Sequence, residues 1–235
     1  MKKMSPEEFT EKLKTVCGDN LQAVVLYGSS AAGDYAAKGS DYNLLIVMND
    51  LHPAALRGLA RTVSVWERAG NPPPLLFTRK RLAEAADIFP VELLDMRDAR
   101  KVLLGEDVIA GIHPDTANLR LQVERELSSA LIQLRRNYLS VCESPQRLAA
   151  LLTGSLSGVL TLFRAALRLY ESPVPTDKFQ ALEKLNRHIP VALESLRQIR
   201  ELKTGTLKIK KVDAGRLFEE YMKSIEAVVD AVDRI

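Results

Sequence analysis

The segment from residue 21 to residue 48 most constrains the fold, because two apolar runs flank a stretch of small and turn-forming residues. Leu21–Tyr27 stops at Gly28, and Asp41–Met48 begins directly after Gly39 and Ser40. Both runs have the length and composition of strands, and the uninterrupted second run is typical of a strand covered on both faces. The segment therefore predicts two strands separated by glycine-bounded turns and a short helix of small residues.

The rest of the first 112 residues alternates short apolar runs with helical patterns. Pro53 to about Ala69 carries apolar residues at helical spacing and opens with a proline suited to a helix's first turn. Pro74–Thr78 and Val91–Met96 have the length of two further strands. This alternation predicts a sheet domain of the α/β or α+β class over residues 1–112.

Beyond His113 the pattern changes to long helices. The second helix, expected over residues 144–170, has apolar residues nearly all round its axis. This pattern predicts the central helix of a bundle, with Ser144 as the N-cap. We expect an all-α helical bundle domain over residues 113–235, and its apolar helices allow a homodimer. The expected helices span residues 115–141, 144–170, 176–187, 190–202 and 213–235.

Composition narrows the class of protein further. The chain has 46% hydrophobic and 27% charged residues, which excludes intrinsic disorder. Its formal net charge of +3 is too small to indicate a nucleic-acid partner. We expect no membrane span, because no run approaches the roughly 18 uncharged apolar residues required, and the charged N-terminus does not fit a signal peptide. The expected localisation is cytoplasmic.

Chemistry-bearing residues are concentrated where the two strands meet the turn. Strand side chains alternate between faces, so Asp41 and Asn43 lie on one face and Tyr42 on the other. Gly28 allows a ligand to approach the backbone closely, and the Ser29 hydroxyl and the N–H groups that begin the following helix suit phosphate oxygens. The pattern indicates an anionic ligand at the end of the first strand.

Residues 22–48 resemble the nucleotidyltransferase superfamily, which includes DNA polymerase beta, antibiotic nucleotidyltransferases and minimal nucleotidyltransferases of toxin–antitoxin pairs. The family pattern is an apolar residue, Gly and then Gly or Ser, a spacer, and Asp-x-Asp or Asp-x-Glu opening an apolar strand. Here Tyr27-Gly28-Ser29 is followed by eleven residues and then Asp41-Tyr-Asn43. The resemblance implies an α+β nucleotidyltransferase-like domain with a short mixed sheet and flanking helices, followed by the helical bundle.

The resemblance also implies a cofactor and partners. In such enzymes the Gly-Ser element holds a nucleoside triphosphate, which assigns nucleotide binding to Gly28, Ser29 and Ser30. Two strand carboxylates and a third on a neighbouring strand bind two Mg²⁺ ions, which assigns metal binding to positions 41 and 43. The expected partners are an NTP and a small-molecule or protein acceptor with a hydroxyl group.

The sequence departs from this pattern at position 43, where Asn replaces the second acid. Mg²⁺ prefers anionic oxygens, so the neutral amide predicts a weakened magnesium site. The third acid has two alternatives. Glu92 in Val91–Met96 is the candidate, with Asp95 behind it, whereas Pro74–Thr78 carries no acid if it forms the relevant strand.

Two functions therefore remain open at the level of sequence. The first is transfer of a nucleoside monophosphate from Mg-NTP to a hydroxyl, with Asp41, Asn43 and Glu92 as the catalytic residues. The second is a catalytically degenerate protein of the same fold that acts as a nucleotide-binding, regulatory or partner-binding module. The choice between them depends on Asn43.

Overall fold

The computed structural model of the protein describes residues 4–28, 30–31 and 42–235. The chain divides into two compact units, Met1–Asp115 and Thr116–Ile235. The first unit contains a four-stranded sheet with helices on both faces, and the second is helical. This is the expected α+β unit followed by an α-helical one.

The N-terminal unit starts with a helix that the sequence reading did not identify. Ser5 caps this helix by accepting from the backbone N–H of Glu8, whose carboxylate accepts from the Ser5 N–H in return. The helices and strands described in the unit are α1 (Pro6–Cys17), β1 (Leu21–Tyr27), β2 (Asn43–Met48), α2 (Pro53–Arg68), β3 (Leu75–Phe77), α3 (Arg79–Glu84), α4 (Pro90–Asp98) and β4 (Arg100–Leu104).

The sheet is mixed, and its strands lie in the order β3-β2-β1-β4. The central strand β1 pairs antiparallel with both β2 and β4, whereas β3 runs parallel to β2. Because β1 and β2 are buried on both faces, each carries a nearly continuous apolar run. One face packs against α1 and α2, around Phe9 and Trp66, and the other packs against residues of the α3–α4 region, around Leu82 and Leu93.

The expected strand Val91–Met96 is wrong, because these residues lie in helix α4. Pro90 occupies the first turn of this helix, and apolar residues on several sides of it are buried. A short apolar run without a clear period fits either a strand or a buried helix turn, so the pattern was ambiguous. The fourth strand of the sheet is instead β4. The sequence analysis does not predict it, because it begins with the charged residues Arg100 and Lys101.

The C-terminal unit consists of long helices close to the expected ranges. Helix α6 contacts four other helices of the unit, as its apolar surface predicts, and Ser144 caps it by accepting from the N–H of Arg147. By length and composition α6 is a candidate membrane span, but more than half of its apolar stretch is buried within the protein, as in a core helix. The helices are α5 (Thr116–Val141), α6 (Pro145–Leu167), α7 (Lys178–His188), α8 (Leu193–Thr204) and α9 (Ala214–Asp233).

Candidate functional site

Three polar side chains form a row across the sheet where β1 ends. Tyr27 of β1 pairs with Asn43 of β2 on one side and with Arg100 of β4 on the other. Residues directly opposite each other in an antiparallel pair place their side chains on the same face. The row Asn43–Tyr27–Arg100 therefore lies on the face that packs against the α3–α4 region, where Tyr27 joins the apolar cluster.

Gly28 forms the turn that follows this row. Its φ of +82° lies in the left-handed region that favours glycine, and its N–H donates to the carbonyl of Ala99 at 2.9 Å. The N–H of Ala31 donates back to the Gly28 carbonyl at 2.9 Å, which closes the turn. A Cβ at position 28 would lie 3.3 Å from Nδ2 of Asn43, so the Asn43 amide lies directly against the glycine.

The remaining residues predicted for this turn are only partly described. Ser30 is 6% exposed and follows the glycine inside the turn. Ser29 and Asp41, predicted to bind nucleotide and metal, and the predicted small-residue helix lie outside the described residues. The structure thus brings Gly28, Ser30 and Asn43 together at one end of β1 and β2.

Tyr42 lies on the opposite face of the sheet from Asn43, as strand alternation predicts. Its ring centroid is 6.2 Å from that of Trp66, and its backbone N–H donates to Oδ1 of Asn71 at 3.4 Å. Trp66 in turn stacks on Phe9 at 4.5 Å. The face behind Asn43 is therefore held by a buried aromatic cluster, which fixes the start of β2.

Glu92, the predicted third acid, lies in the first turn of α4 rather than on a strand. Burial raises the pKa of the Tyr27 phenol, and the negative charge of Glu92 raises it further. The charge of Glu92 therefore acts on the Tyr27 phenol, although Glu92 stands on a helix. Asp95, the second candidate, follows one turn later on the same helix.

The strand next to β2 carries no acid. β3 pairs with Leu45, Ile46 and Val47 through residues 75–77, which are Leu, Leu and Phe. In the described part of the chain, no group of three or more His, Cys, Asp and Glu side chains is placed to hold a metal ion. The described strands at this sheet end therefore offer the Asn43 amide, and β3 adds no carboxylate beside it.

The sequence reading missed the ion pair that holds Arg100. Its Nε and Nη2 donate to the Asp107 carboxylate at 2.7–3.0 Å, and its Nη1 donates to the carbonyl of Arg97. Asp107 also accepts from the N–H groups of Ile109 and Ala110 at 3.2 Å. The pair is not evident from the sequence, because Arg100 opens a strand that was not identified and Asp107 lies in the following loop.

We expect an Asp107→Asn substitution to reduce the acid sensitivity of the protein. Hydrogen bonds from Arg100 hold the pKa of the Asp107 carboxyl below its ordinary value. A carboxyl with a lowered folded-state pKa stabilises the protein above its unfolded pKa of about 3.9, and this stabilisation is lost as pH falls through the folded-state pKa. Because solvent partly screens the pair, we expect a loss of only about 1 kcal/mol at pH 7.

Urea unfolding at pH 7 and at about pH 3 measures this effect. The variant should lose less free energy of unfolding between the two pH values than the wild type. Glu106→Gln is the matched control, since its pair with Arg79 is largely exposed to solvent. Identical acid dependence in the wild type and Asp107→Asn would contradict the assigned role of Asp107.

Comparison with known proteins adds a structural likeness. No protein-family profile and no curated protein sequence matches the chain. The crystal structure of spectinomycin adenyltransferase AAD(9) from Enterococcus faecialis, with ATP and spectinomycin, is similar, with a TM-score of 0.55 and 12% identity over 94% of this chain and 100% of that chain. A crystal structure of a toxin–antitoxin with AMP-PNP gives a TM-score of 0.33 and 17% identity over 56% of this chain and 99% of that chain.

The likeness to the adenyltransferase shows the fold. The chain has the nucleotidyltransferase fold, as the Gly28 to Asn43 pattern predicts. Within that fold, the sheet end at Gly28 and Asn43 is the candidate functional site.

Proposed function

We propose that the N-terminal unit binds a magnesium–nucleoside triphosphate at the Gly28–Ser30 turn and has lost two-metal nucleotidyl transfer. On this proposal the chain is a nucleotide-binding module with a nucleotidyltransferase fold. The observation that carries it is the Asn43 amide lying against Gly28, at a position where a catalytic member needs a carboxylate.

The turn suits a phosphate group for reasons of shape and hydrogen bonding. Glycine at a positive φ forms this turn without backbone strain, and the lack of a side chain leaves its backbone bare beside the Asn43 amide. The hydroxyls of Ser29 and Ser30 and backbone N–H groups after Gly28 would donate to phosphate oxygens. These donors carry no negative charge, so a triphosphate meets no repulsion from the turn itself.

The donor set fits one nucleotide-bound magnesium ion better than a bridged pair. Asp41 and Asn43 would hold it through one carboxylate and one amide oxygen. The ion would neutralise charge on the triphosphate when bound. If β3 is the strand that should carry the third metal-binding acid, that acid is missing, because β3 places Leu75, Leu76 and Phe77 beside β2. Too few carboxylates therefore remain to hold two divalent ions about 4 Å apart.

Nucleotidyl transfer is the second candidate, and the position of Glu92 favours it. The charge of this residue acts on Tyr27, which pairs directly with Asn43. Glu92 would accept the proton of an acceptor hydroxyl as that oxygen attacks the α-phosphorus and pyrophosphate leaves. The acceptor would be a small molecule or a protein; the similar adenyltransferase, crystallised with ATP and spectinomycin, supports the small-molecule class.

Calorimetric titration of ATP and GTP, with and without Mg²⁺, tests the proposal. We expect Mg²⁺-dependent binding by the wild type, because the bound ion neutralises charge on the triphosphate. Asp41→Ala should weaken Mg-ATP binding by about tenfold or more, or about 1.4 kcal/mol, through loss of the only charged ligand at positions 41 and 43. Asn43→Asp should strengthen it by a similar factor, since it restores an anionic ligand.

A pyrophosphate-release assay with the same proteins, Mg-ATP and a panel of hydroxyl-bearing acceptors that includes spectinomycin separates the two candidates. Absence of turnover by the wild type supports the binding module, and Mg²⁺-dependent turnover abolished by Glu92→Gln would establish the transferase instead. Wild-type protein that binds neither nucleotide would overturn both.

A further inference from the structure

Helix α5 of the C-terminal unit carries an exposed apolar stripe on its outer side. Leu121, Ile132 and Leu139 are 54%, 55% and 80% exposed, whereas residues such as Leu127 and Leu134 face the interior. At 100° per residue, the three exposed side chains lie within about 20° of one another around the helix axis. They form one line along the helix rather than scattered surface residues.

This line belongs to a longer series, here called the α5 seam. Its members are separated alternately by three and four residues, the spacing with which one helix packs along another. At the two ends, Asn118 lies in the first turns of the helix and Cys142 directly follows its last residue. The seam consists of Asn118, Leu121, Arg125, Ser128, Ile132, Arg135, Leu139 and Cys142.

The seam is symmetric about its midpoint at the level of Ala130. Leu121 and Leu139 are equally distant from that midpoint, and the other members pair in the same way: Asn118 with Cys142, Arg125 with Arg135, and Ser128 with Ile132. A two-fold interface requires a patch that complements its own copy. When two copies of the seam run antiparallel, Leu121 of each meets Leu139 of the other.

We propose that a second copy of this chain covers the seam, and that the two α5 helices pack antiparallel about a two-fold axis at the level of Ala130. This inference is independent of nucleotide binding. An antiparallel arrangement buries all three exposed apolar side chains of each copy. A parallel arrangement in register would place Arg125 on Arg125 and Arg135 on Arg135.

The charges of the seam are compatible with antiparallel pairing. Arg125 of one copy faces Arg135 of the other, but Arg135 already bonds through Nη2 to Oε1 of Glu226 on α9, at 2.7 Å. At each place where Arg125 faces Arg135 of the other copy, the Glu226 carboxylate therefore lies near two guanidinium groups. The two leucines of the seam are about 27 Å apart along the axis, so the contact is one helix wide and smaller than a standard interface. We expect dimers at concentrations of about 10–100 μM.

Sedimentation velocity on the full chain over that concentration range tests the dimer. Ile132→Glu should raise the dimer dissociation constant by about tenfold or more, since it places two carboxylates near the axis. Ile235→Glu is the matched control, because Ile235 is also 55% exposed and lies at the C-terminus, outside the seam. A wild type that stays monomeric throughout, or a dimer that Ile132→Glu leaves intact, would overturn the proposal.

Oxidative cross-linking tests the antiparallel register. In a Cys17→Ser background, Asn118→Cys places a second thiol opposite the exposed Cys142 of the other copy. Within one chain these positions are about 36 Å apart along the helix, far beyond the roughly 4.4–6.8 Å between Cα atoms that a disulfide needs. We expect a covalent dimer that Cys142→Ser abolishes.

The parent with Cys142 alone is the control for parallel pairing, which would bring the two Cys142 thiols together. Cross-linking of that parent to the same extent, or failure of Asn118→Cys to cross-link at concentrations where the dimer is populated, would overturn the antiparallel arrangement.

Discussion

Gly105→Ala is expected to lower the free energy of unfolding of the N-terminal unit by about 3–5 kcal/mol. Gly105 follows β4 and has a φ of +74°, where an L-residue is strained. A Cβ there would lie 2.1 Å from the backbone oxygen of Gln22 and 3.2 Å from Cα of Ala23. Both atoms belong to the central strand β1, which cannot shift without disturbing its pairing with β2 and β4.

Gly70→Ala is the matched control for this prediction. Gly70 has a similar φ of +85°, but a Cβ there meets nothing within 4 Å. Gly70→Ala should therefore lower the free energy of unfolding only through backbone strain, by about 1–2 kcal/mol. Urea unfolding followed by the fluorescence of the single tryptophan, Trp66, reports on this unit. Equal losses from the two substitutions would show that the close approach to β1 does not matter.

Trp66→Ala is expected to destabilise the same unit by a similar amount, about 3–5 kcal/mol. The Trp66 side chain is fully buried and stacks on Phe9 with ring centroids 4.5 Å apart. Its indole N–H donates to the carbonyl of Pro72 at 2.9 Å, which anchors the segment that leads into β3. Removal of the ring leaves a cavity behind the start of β2 and an unanchored carbonyl.

Trp66→Phe separates the cavity from the lost hydrogen bond. It retains an aromatic ring against Phe9 but leaves the Pro72 carbonyl without its donor, so we expect a loss of about 1–2 kcal/mol. Circular dichroism during thermal unfolding measures both variants, since each lacks the fluorophore. A Trp66→Ala loss no larger than that of Trp66→Phe would contradict the packing role of the ring.

The Trp66 variants also test how independent the two sheet faces are. Tyr42 packs near Trp66 on one face, whereas Asn43 lies with Tyr27 on the other. The Trp66→Phe variant, where it remains folded, should therefore bind Mg-ATP with the affinity of the wild type. A change in nucleotide affinity without unfolding would show that the aromatic cluster positions the Gly28 turn.

The local sequence predicted an element correctly where its pattern fits only one kind of secondary structure. The apolar run Leu21–Tyr27 became β1 with the expected bounds, and Pro53 opened α2 as expected. The long helical periods after residue 113 likewise predicted the helices of the second unit, because an apolar stripe sustained over many turns fits a helix and not a strand. The glycine and strand spacing from Gly28 to Asn43 was enough to indicate the fold.

Tertiary packing decided the elements whose local patterns were ambiguous. The apolar residues of Val91–Met96 have no clear period. The segment forms part of helix α4, which helps to cover a sheet face that β1 and β2 leave apolar. β4 begins with Arg100 and Lys101, which local propensity does not favour in a strand, yet pairing with the exposed edge of β1 supplies its hydrogen bonds.

The same distinction applies to the candidate site. The sequence by itself determined that a neutral Asn43 stands where an acid is expected and that Gly28 ends the first strand. Only the tertiary structure decided that β3 brings no acid to β2, that Glu92 lies on a helix, and that Arg100 joins the row beside Tyr27. The physical reason is that residue identity is a local property, whereas strand order and register depend on long-range pairing and burial.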